Sequence, residues 1–416
     1  MLDRELVRHD PGTVERAASS KGEVCDVRRW LAADMERREA VFELDALRRR
    51  RNELSALVAR ARREGGDTAA LMEESRGSGD RIAALERLEK DLDSEMLSLE
   101  LRFPNIPDPS VPQGADAASN LVVRQWGEPP VFDFEPRPHW DLLSGVLDFE
   151  CAGRLAGSNF ILLRGWAARL QRMLINWMLD THARNGMEEV WPPFLAGSES
   201  MTATGQLPKL GADMYRVEGE DLFLIPTGEV PVTNIFRDAL LEEADLPLRL
   251  CAYTPCFRRE AGSYGRDTRG LNRVHQFEKV EMVRIEHPDR SAAAHEEMVA
   301  DASRLLETLG IPYRVVLLCT GDLSFSAAKC YDLEIWSAGQ GRWLEVSSVS
   351  SFTDFQARRG RIRFRPAGGG KPRLAHTLNG SGLALPRLIS ALVENTQRAD
   401  GTGEWLLGEV ASRIGG

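Results

Sequence analysis

Between Arg28 and Arg63 the chain runs without proline or glycine, and small or apolar residues recur every seven positions at Ala40, Leu47, Leu54 and Ala61, with Leu44 and Val58 on the same seam. A turn signal comes next at Glu64-Gly65-Gly66-Asp67. A second series then sets Leu85, Leu92 and Leu99 seven apart, with Ile82 and Met96 at the alternate positions. Two heptad-patterned helices joined by a short break predict an antiparallel helical hairpin over about 28–101. Arg51 falls on the seam, and Arg76-Gly77-Ser78-Gly79 is expected to fray the start of the second helix.

The pattern then changes. Phe103-Pro104-Asn105-Ile106-Pro107-Asp108-Pro109-Ser110-Val111-Pro112 holds four prolines, which exclude a helix or a central strand and predict a stiff linker over 104–120. Beyond it the period alternates between helix and strand. A helix is expected from about Arg164 to Asn185, buried along Leu170, Leu174, Trp177 and Met178 and ended by Gly186. Strand-like runs stand at Asp221–Pro226, Leu246–Tyr253, Phe277–Ile285, Arg314–Cys319, Tyr331–Trp336 and Trp343–Ser350, with a last helix over about Leu383–Thr396. Their hairpin-like spacing predicts an antiparallel sheet. The expected fold is therefore α+β: a coiled-coil arm over 1–103, the linker, and a helix-flanked antiparallel sheet over 121–416.

Composition narrows the classes. A chain of 416 residues, 43% hydrophobic and 28% charged, has the material for two or three packed domains and is no disordered tail. No apolar run reaches the roughly 20 residues of a membrane span, and the acidic start Met1-Leu2-Asp3-Arg4-Glu5-Leu6 has no secretion-signal layout, so a cytoplasmic protein with no membrane partner is expected. The six cysteines are scattered without C-x-x-C spacing, which fits reduced thiols and argues against zinc. A net charge of −10 disfavours nonspecific nucleic-acid coating, and no DNA partner is expected, yet Arg48-Arg49-Arg50-Arg51 and Arg60-Ala61-Arg62-Arg63 put two basic clusters on the hairpin. Spacing alone leaves these as either a solvated coiled-coil face or a phosphate-binding arm.

Candidate chemistry lies where polar groups interrupt apolar strands. No Walker loop, H-E-x-x-H helix or G-x-S-x-G elbow occurs, and Gly368-Gly369-Gly370-Lys371-Pro372 reads as a hairpin tip. Strand alternation places Arg258 with Glu260, Phe277 with Glu281, and Glu345 with Ser347 on shared faces. Between the first two of these strands, Ala261–Leu271 is too long for a tight turn and reads either as a mobile hairpin loop or as a flap over a phosphate-bearing ligand.

These residues carry a resemblance. Phe257-Arg258-Arg259-Glu260, the glycine-rich loop and the return strand His275-Gln276-Phe277-Glu278-Lys279-Val280-Glu281 resemble motif 2 of the class II aminoacyl-tRNA synthetases, and Arg266-Asp267-Thr268-Arg269-Gly270-Leu271 resembles the seryl version. Leu378–Arg387 resembles motif 3, and the helix ending at Val190-Trp191-Pro192-Pro193 resembles the dimer motif. Thr204–Pro208, Pro226–Glu229 and Phe352–Arg359 are similar to seryl-type signatures, so the likeness spans the chain in order.

The resemblance implies ATP-dependent attachment of L-serine to tRNA(Ser), and to tRNA(Sec), through a seryl-adenylate, by a homodimer using Mg²⁺. It implies that Arg258 holds the α-phosphate and the serine carboxylate, that Arg259 lies with it at the nucleotide, and that Glu260 accepts from the adenine amino group. Phe277 and Arg387 would stack on adenine, with Arg387 near the γ-phosphate and Val274 flanking. Glu345 and Ser348 would hold Mg²⁺ and ATP, with Val346 and Ser347 lining the same segment. Glu229 would receive the serine ammonium beside Thr227 and Gly228, while Glu281 and Ser381 recognise the hydroxyl. Arg258, Glu345 and Arg387 would be the catalytic set. The arm clusters, with Arg266 and Arg269, would meet tRNA.

Departures from the family pattern stand at Tyr264, Val349, Ser351, Pro386, Gly228 and the tail Gly403–Gly408. They keep open an antibiotic-resistance or biosynthetic paralogue. An amino-acid:carrier-protein ligase would lack the arm, and a non-catalytic RNA-binding paralogue would lose Arg258, Glu345 or Arg387.

Overall fold

The computed structural model describes residues 1–261 and 269–415, which form two compact units: Met1–Ser19 with Glu23–Pro104, and Ser20–Gly22 with Asn105–Gly416.

In the first unit two long helices, α1 (Val27–Arg63) and α2 (Ala69–Glu100), come after two short ones, Arg4–His9 and Pro11–Ser20. The seam buries Ala40, Leu44, Ile82 and Leu85 as one cluster, with Leu47 and Leu88 against it. Leu54, Leu92 and Met96 are buried too. Ion pairs across the hairpin set its antiparallel register: Arg37 with Asp93, Arg48 with Glu86, Arg50 with Glu74, and Arg81 with Glu43. At the base, Trp30 Nε1 donates to Glu100 Oε1 at 2.9 Å.

One expectation fails here. Gly77 and Gly79 do not fray a helix start, because α2 begins at Ala69 and runs through both. Its first turn is fixed earlier, by the Ala69 N–H on the Asp67 carboxylate. In the register set by the ion pairs Arg51 falls level with these glycines, and its side chain is exposed rather than forced into the seam.

The second unit is built on an eight-stranded sheet. Its strands in chain order are β1 (Leu121–Trp126), β2 (Glu188–Glu189), β3 (Leu248–Phe257), β4 (Gln276–Glu286), β5 (Tyr313–Leu317), β6 (Lys329–Ser337), β7 (Arg342–Thr353) and β8 (His376–Ala384). They lie in the order β1-β5-β6-β7-β8-β4-β3-β2, antiparallel at every pairing except β3 with β2. Its helices include α3 (Gly165–Arg184), α4 (Glu229–Asn234), α5 (Ser291–Thr308), α6 (Phe355–Gly360), α7 (Leu385–Asn395) and α8 (Trp405–Ile414). The Leu383–Thr396 helix is thus not the last, since α8 buries Leu406 and Val410 in the main core.

That core joins α3, α5, α7 and α8 to one side of the sheet through Leu174, Met298, Leu388, Met282, Leu333 and Val349. Alternation along β4 explains the division of labour. Val280 and Met282 enter this core, while Val283 and Ile285 on the other face join Val232, Ala252 and Phe364 in a second cluster. Phe277, Lys279 and Glu281 share that second face, further along the strand.

The proline-rich stretch lies against this unit rather than hanging free. Asn105 donates to the carbonyls of Ser326 and Phe352, Asp108 N–H reaches Ala328 O, and Val111 joins a small core with Val316 and Phe352. The residues Arg363–Arg365 and Arg373–Leu374 pair antiparallel, so the triple-glycine segment between them is a hairpin connection.

Candidate active site

Three strands and one helix start bring a set of polar side chains to the sheet face opposite the main core. Glu281 on β4 pairs directly across to Ser381 on β8 and to Ala252 on β3. The segment Pro226-Thr227-Gly228 carries the chain into α4, whose first residue is Glu229. Thr227 Oγ1 donates to Glu281 Oε2 at 3.1 Å, and Lys279 Nζ donates to Thr227 Oγ1 at 2.8 Å while pairing with Glu281. Gly228 permits this approach: a Cβ there would stand 3.1 Å from Glu281 Cβ and from Thr254 Oγ1. Glu281 also accepts from Asn379 Nδ2 at 3.0 Å, and Glu229 accepts from the Gln356 amide.

Thr227, Glu229, Glu281 and Ser381 are all buried. Burial, reinforced by the Glu281 charge, pushes the Glu229 carboxyl up to about 7, against the opposing pull of Gln356, Lys279 and Arg258. With both acids ionised, Lys279 offsets one negative charge and leaves the other for an incoming cation. This group of buried acids therefore suits a cation such as an ammonium group. Lys279, Gln356 and Asn379 were not singled out from sequence. Lys279 had a signal, because it shares the alternation of Phe277 and Glu281.

Beside it, Arg258 comes just after the end of β3. Its Nε donates to Pro226 O at 3.2 Å, and its guanidinium lies 5.1 Å from the centre of the Phe277 ring. The Arg259 side chain is exposed, while its N–H donates to Asp213 O. Val274 is buried at the start of the return strand. Arg258 and Glu260 do not share a strand face as alternation implied. The strand ends at Phe257, and Glu260 has φ 51°, which turns it out of the series. Its carboxylate instead pairs with Arg273 at 2.9 Å.

A cleft of about 150 Å³ adjoins these residues, lined by Arg273, Arg342, Arg387, Glu345, Trp343 and Asn272 among others. Arg387 Nη1 donates to Glu345 O at 2.7 Å and to its carboxylate at 3.2 Å. Three guanidiniums against one carboxylate make the cleft a receptor for polyanions. Arg273 and Arg342 were also missed from sequence, since nothing local marks them off from other arginines.

The pairing of Glu345 with Ser347 is corrected by a β-bulge. Glu345 pairs with Glu334 but Ser347 pairs with Leu333, which leaves Val346 as the extra residue. Val346 therefore enters the main core, and Ser347, 1% exposed, turns its hydroxyl onto Ser381 O. Neither side chain shares the Glu345 face. Ser348 does, opposite Asp332 on β6. Burial, with the nearby Glu345 charge, drives the Asp332 carboxyl well above its ordinary range, although the Ser348 and Cys330 hydrogen bonds oppose this. Glu345, Asp332 and Ser348 thus put oxygen atoms on one face of adjacent strands, the donor type a hard divalent cation such as Mg²⁺ takes.

The basic residues expected to meet nucleic acid are scattered. Arg48, Arg50 and Arg60 are in ion pairs on the first unit, Arg62 lies on Met72 Sδ, and Arg63 donates to Ala59 O. Arg49 and Arg51 are exposed and have no carboxylate partner among the described residues. Arg269 lies over Trp140 and 3.7 Å from Asp141. Arg266, like Tyr264, is outside the described residues.

Comparison with known proteins gives a consistent picture. Residues 1–107 match the Seryl-tRNA synthetase N-terminal domain, and residues 214–396 match the tRNA synthetase class II core domain (G, H, P, S and T). The chain is 52% identical to the Serine--tRNA ligase of Nitratidesulfovibrio vulgaris over 97% of its own length and 96% of the relative's. It is 50% identical to that of Caldanaerobacter subterraneus subsp. tengcongensis over 97% and 95%. The crystal structure of seryl-tRNA synthetase from Pyrococcus horikoshii complexed with ATP superimposes with a TM-score of 0.93 at 36% identity, covering 100% of this chain and 98% of that one. The Naegleria fowleri cytoplasmic enzyme in complex with AMP gives 0.88 at 26%, with the same coverage.

Proposed function

The chain belongs to the seryl-tRNA synthetases, enzymes that join serine to tRNA, and from that premise we propose how its own residues carry the reaction through a seryl-adenylate. The observation that carries the proposal is the juxtaposition of the acidic, hydroxyl-lined pocket with the arginine-lined cleft.

Serine enters with its ammonium toward Glu229 and Thr227 and its hydroxyl toward Glu281 and Ser381. Its carboxylate is already a nucleophile, so no general base is needed. The barrier is the approach of two anions and the charge that builds on the α-phosphate. Arg258 bridges carboxylate and α-phosphate, and Arg387, with Arg273 and Arg342, takes the polyphosphate. A carboxylate oxygen bonds to the α-phosphorus, the bond to the β-phosphate oxygen breaks, and pyrophosphate leaves. Phe277 packs on adenine and Glu260 accepts from its amino group. Glu345 and Ser348, with Asp332 behind them, would hold Mg²⁺, which supplies further charge neutralisation at the phosphates. A terminal hydroxyl of tRNA(Ser), or of tRNA(Sec), then attacks the serine carbonyl and releases AMP.

The helical arm over 1–103 reads tRNA by phosphate contact and shape, because base edges in duplex RNA are poorly accessible. Arg49 and Arg51, which have no carboxylate partner among the described residues, are its foremost candidates. On this reading the working enzyme is a cytoplasmic homodimer; the exposure of Trp191 (70%), whose ring centre lies 5.8 Å from that of Tyr253, supports its being covered by a second copy.

ATP–pyrophosphate exchange tests the site. Serine should support exchange, whereas alanine and threonine should not. Arg258→Ala should lower kcat by roughly 10²–10³-fold, the cost of losing one preorganised charge donor. Near-normal turnover in that variant would remove Arg258 from the transition state.

A further inference from the structure

A buried, hydrogen-bonded polar cluster in the second unit lies outside the cleft lining. Glu394, in the last turn of α7, is fully buried, as is His139. The His139 ring nitrogen Nδ1 lies 2.7 Å from Glu394 Oε1, and its Nε2 lies 2.8 Å from the backbone N of Leu271. A backbone N–H can only donate, so Nε2 must be the acceptor. The ring is then the neutral Nδ1–H tautomer, aimed by the carboxylate.

The other bonds of Glu394 lead to the same place. The carboxylate also accepts from Ser337 Oγ, from the Gly339 N–H at 3.1 Å and from Gln340 Nε2 at 3.3 Å. Gln340 Oε1 in turn accepts from Asn272 Nδ2 at 2.8 Å. The segment Gly270-Leu271-Asn272 is thus gripped twice, through its backbone by His139 and through its side chain by Gln340. The fit is close: a Cβ on Gly270, at φ +79°, would stand 2.1 Å from His139 Nε2.

This segment is the outgoing end of the motif 2 loop, and it leads directly into the wall of the cleft. Asn272 O accepts from Arg387 Nε at 3.4 Å, and Arg273 is the next residue. Arg387 and Glu394 are seven residues apart on α7, so one helix face presents both. The helix offers its guanidinium to the cleft from its first turn and holds the loop that supports that guanidinium from its last.

We propose that His139, held by Glu394, is a positioning residue for ATP: it fixes the Leu271 N–H and so sets Asn272, Arg273 and Arg387 for the polyphosphate, without touching substrate. The inference rests on reading the arginine cleft as the ATP subsite. It distinguishes the two substrates, because none of the serine-pocket residues bonds to the clasp.

The test uses the full chain with His139→Leu, His139→Gln and Gln340→Met. ATP and serine KM are read by pyrophosphate exchange, and ATP affinity by direct equilibrium titration without serine. The glutamine amide can place an acceptor near the position of Nε2, whereas leucine cannot. His139→Leu should raise the ATP KM and Kd by about tenfold, the scale of one lost buried hydrogen bond, and leave the serine KM within about twofold. His139→Gln should recover most of the loss, and Gln340→Met should raise the ATP values about threefold. Unchanged ATP affinity in His139→Leu, equal rises for both substrates, or no recovery by glutamine would overturn the proposal. If leucine prevents folding, an unchanged ATP KM in Gln340→Met would overturn it alone. A wild-type chain that binds ATP but shows no serine-dependent exchange would defeat the functional reading, while the titration would still decide the clasp.

Discussion

At the residue scale the proposed serine site turns on two buried carboxylates with different partners. Glu281 is satisfied by Thr227, Asn379 and Lys279, whereas Glu229 has the Gln356 amide and a carboxyl raised to about 7 by burial and by Glu281. Only the ionised Glu229 attracts an ammonium group. In the free enzyme kcat/KM for serine should therefore rise with pH through about 7, and bound serine should pull the group down, leaving kcat flatter over the same range. A pH series on wild type and Glu229→Gln checks this: the glutamine variant should lose the rise. Glu281→Ala takes away the acceptor of Thr227 and Asn379 and the counter-charge of Lys279. It should raise the serine KM by roughly 10–100-fold and weaken discrimination against alanine, since the site was built to bond a hydroxyl. Alanine and serine titrations of the exchange reaction read both effects, and unchanged kinetics would take Glu281 out of the pocket.

At the element scale, what the sequence made legible was what short-range pattern controls. Heptads marked both arm helices, alternation marked the long strands, and resemblance to the family's motifs, not spacing, pointed to Arg258, Glu281, Glu345 and Arg387. Three features escaped because their causes are not local. The bulge at Val346 depends on the register of β7 against β6, and it exchanged Ser347 for Ser348 on the Glu345 face. The left-handed turn at Glu260 came from the strand ending early. Gln356, Asp332 and the His139–Glu394 clasp needed chain crossings that no window of sequence contains. Gly77 and Gly79 were misread in the opposite sense, since long-range seam packing carried α2 through two poor helix formers. That packing has a measurable reserve. Nothing lies within 4 Å of a Cβ at either position, so Gly77→Ala with Gly79→Ala should stabilise the arm by about 1–2 kcal/mol. Thermal unfolding followed at 222 nm reads the gain. A lower Tm would mean that the glycines are needed to accommodate Arg51.

At the scale of the whole molecule there are two units, each with its own core, with activation proposed for the second and tRNA recognition for the first. Damage to one should spare the chemistry of the other. Arg49→Glu with Arg51→Glu reverses the two arm cations that lack carboxylate partners among the described residues. Charging of tRNA(Ser) should fall at least about tenfold at moderate salt, with a shallower salt dependence, while serine-dependent exchange stays at the wild-type rate. Loss of both activities together would place the arm in the activation step. The central claim, however, is that serine is first joined to AMP in the second unit and only then passed to tRNA. Its most direct test mixes the enzyme with radiolabelled serine and ATP without tRNA, isolates the protein, and chases with tRNA(Ser). The account predicts enzyme-bound seryl-adenylate that transfers to tRNA in a single turnover without added ATP. Label that appears on tRNA only when ATP and tRNA are present together, with no isolable adenylate, would contradict it.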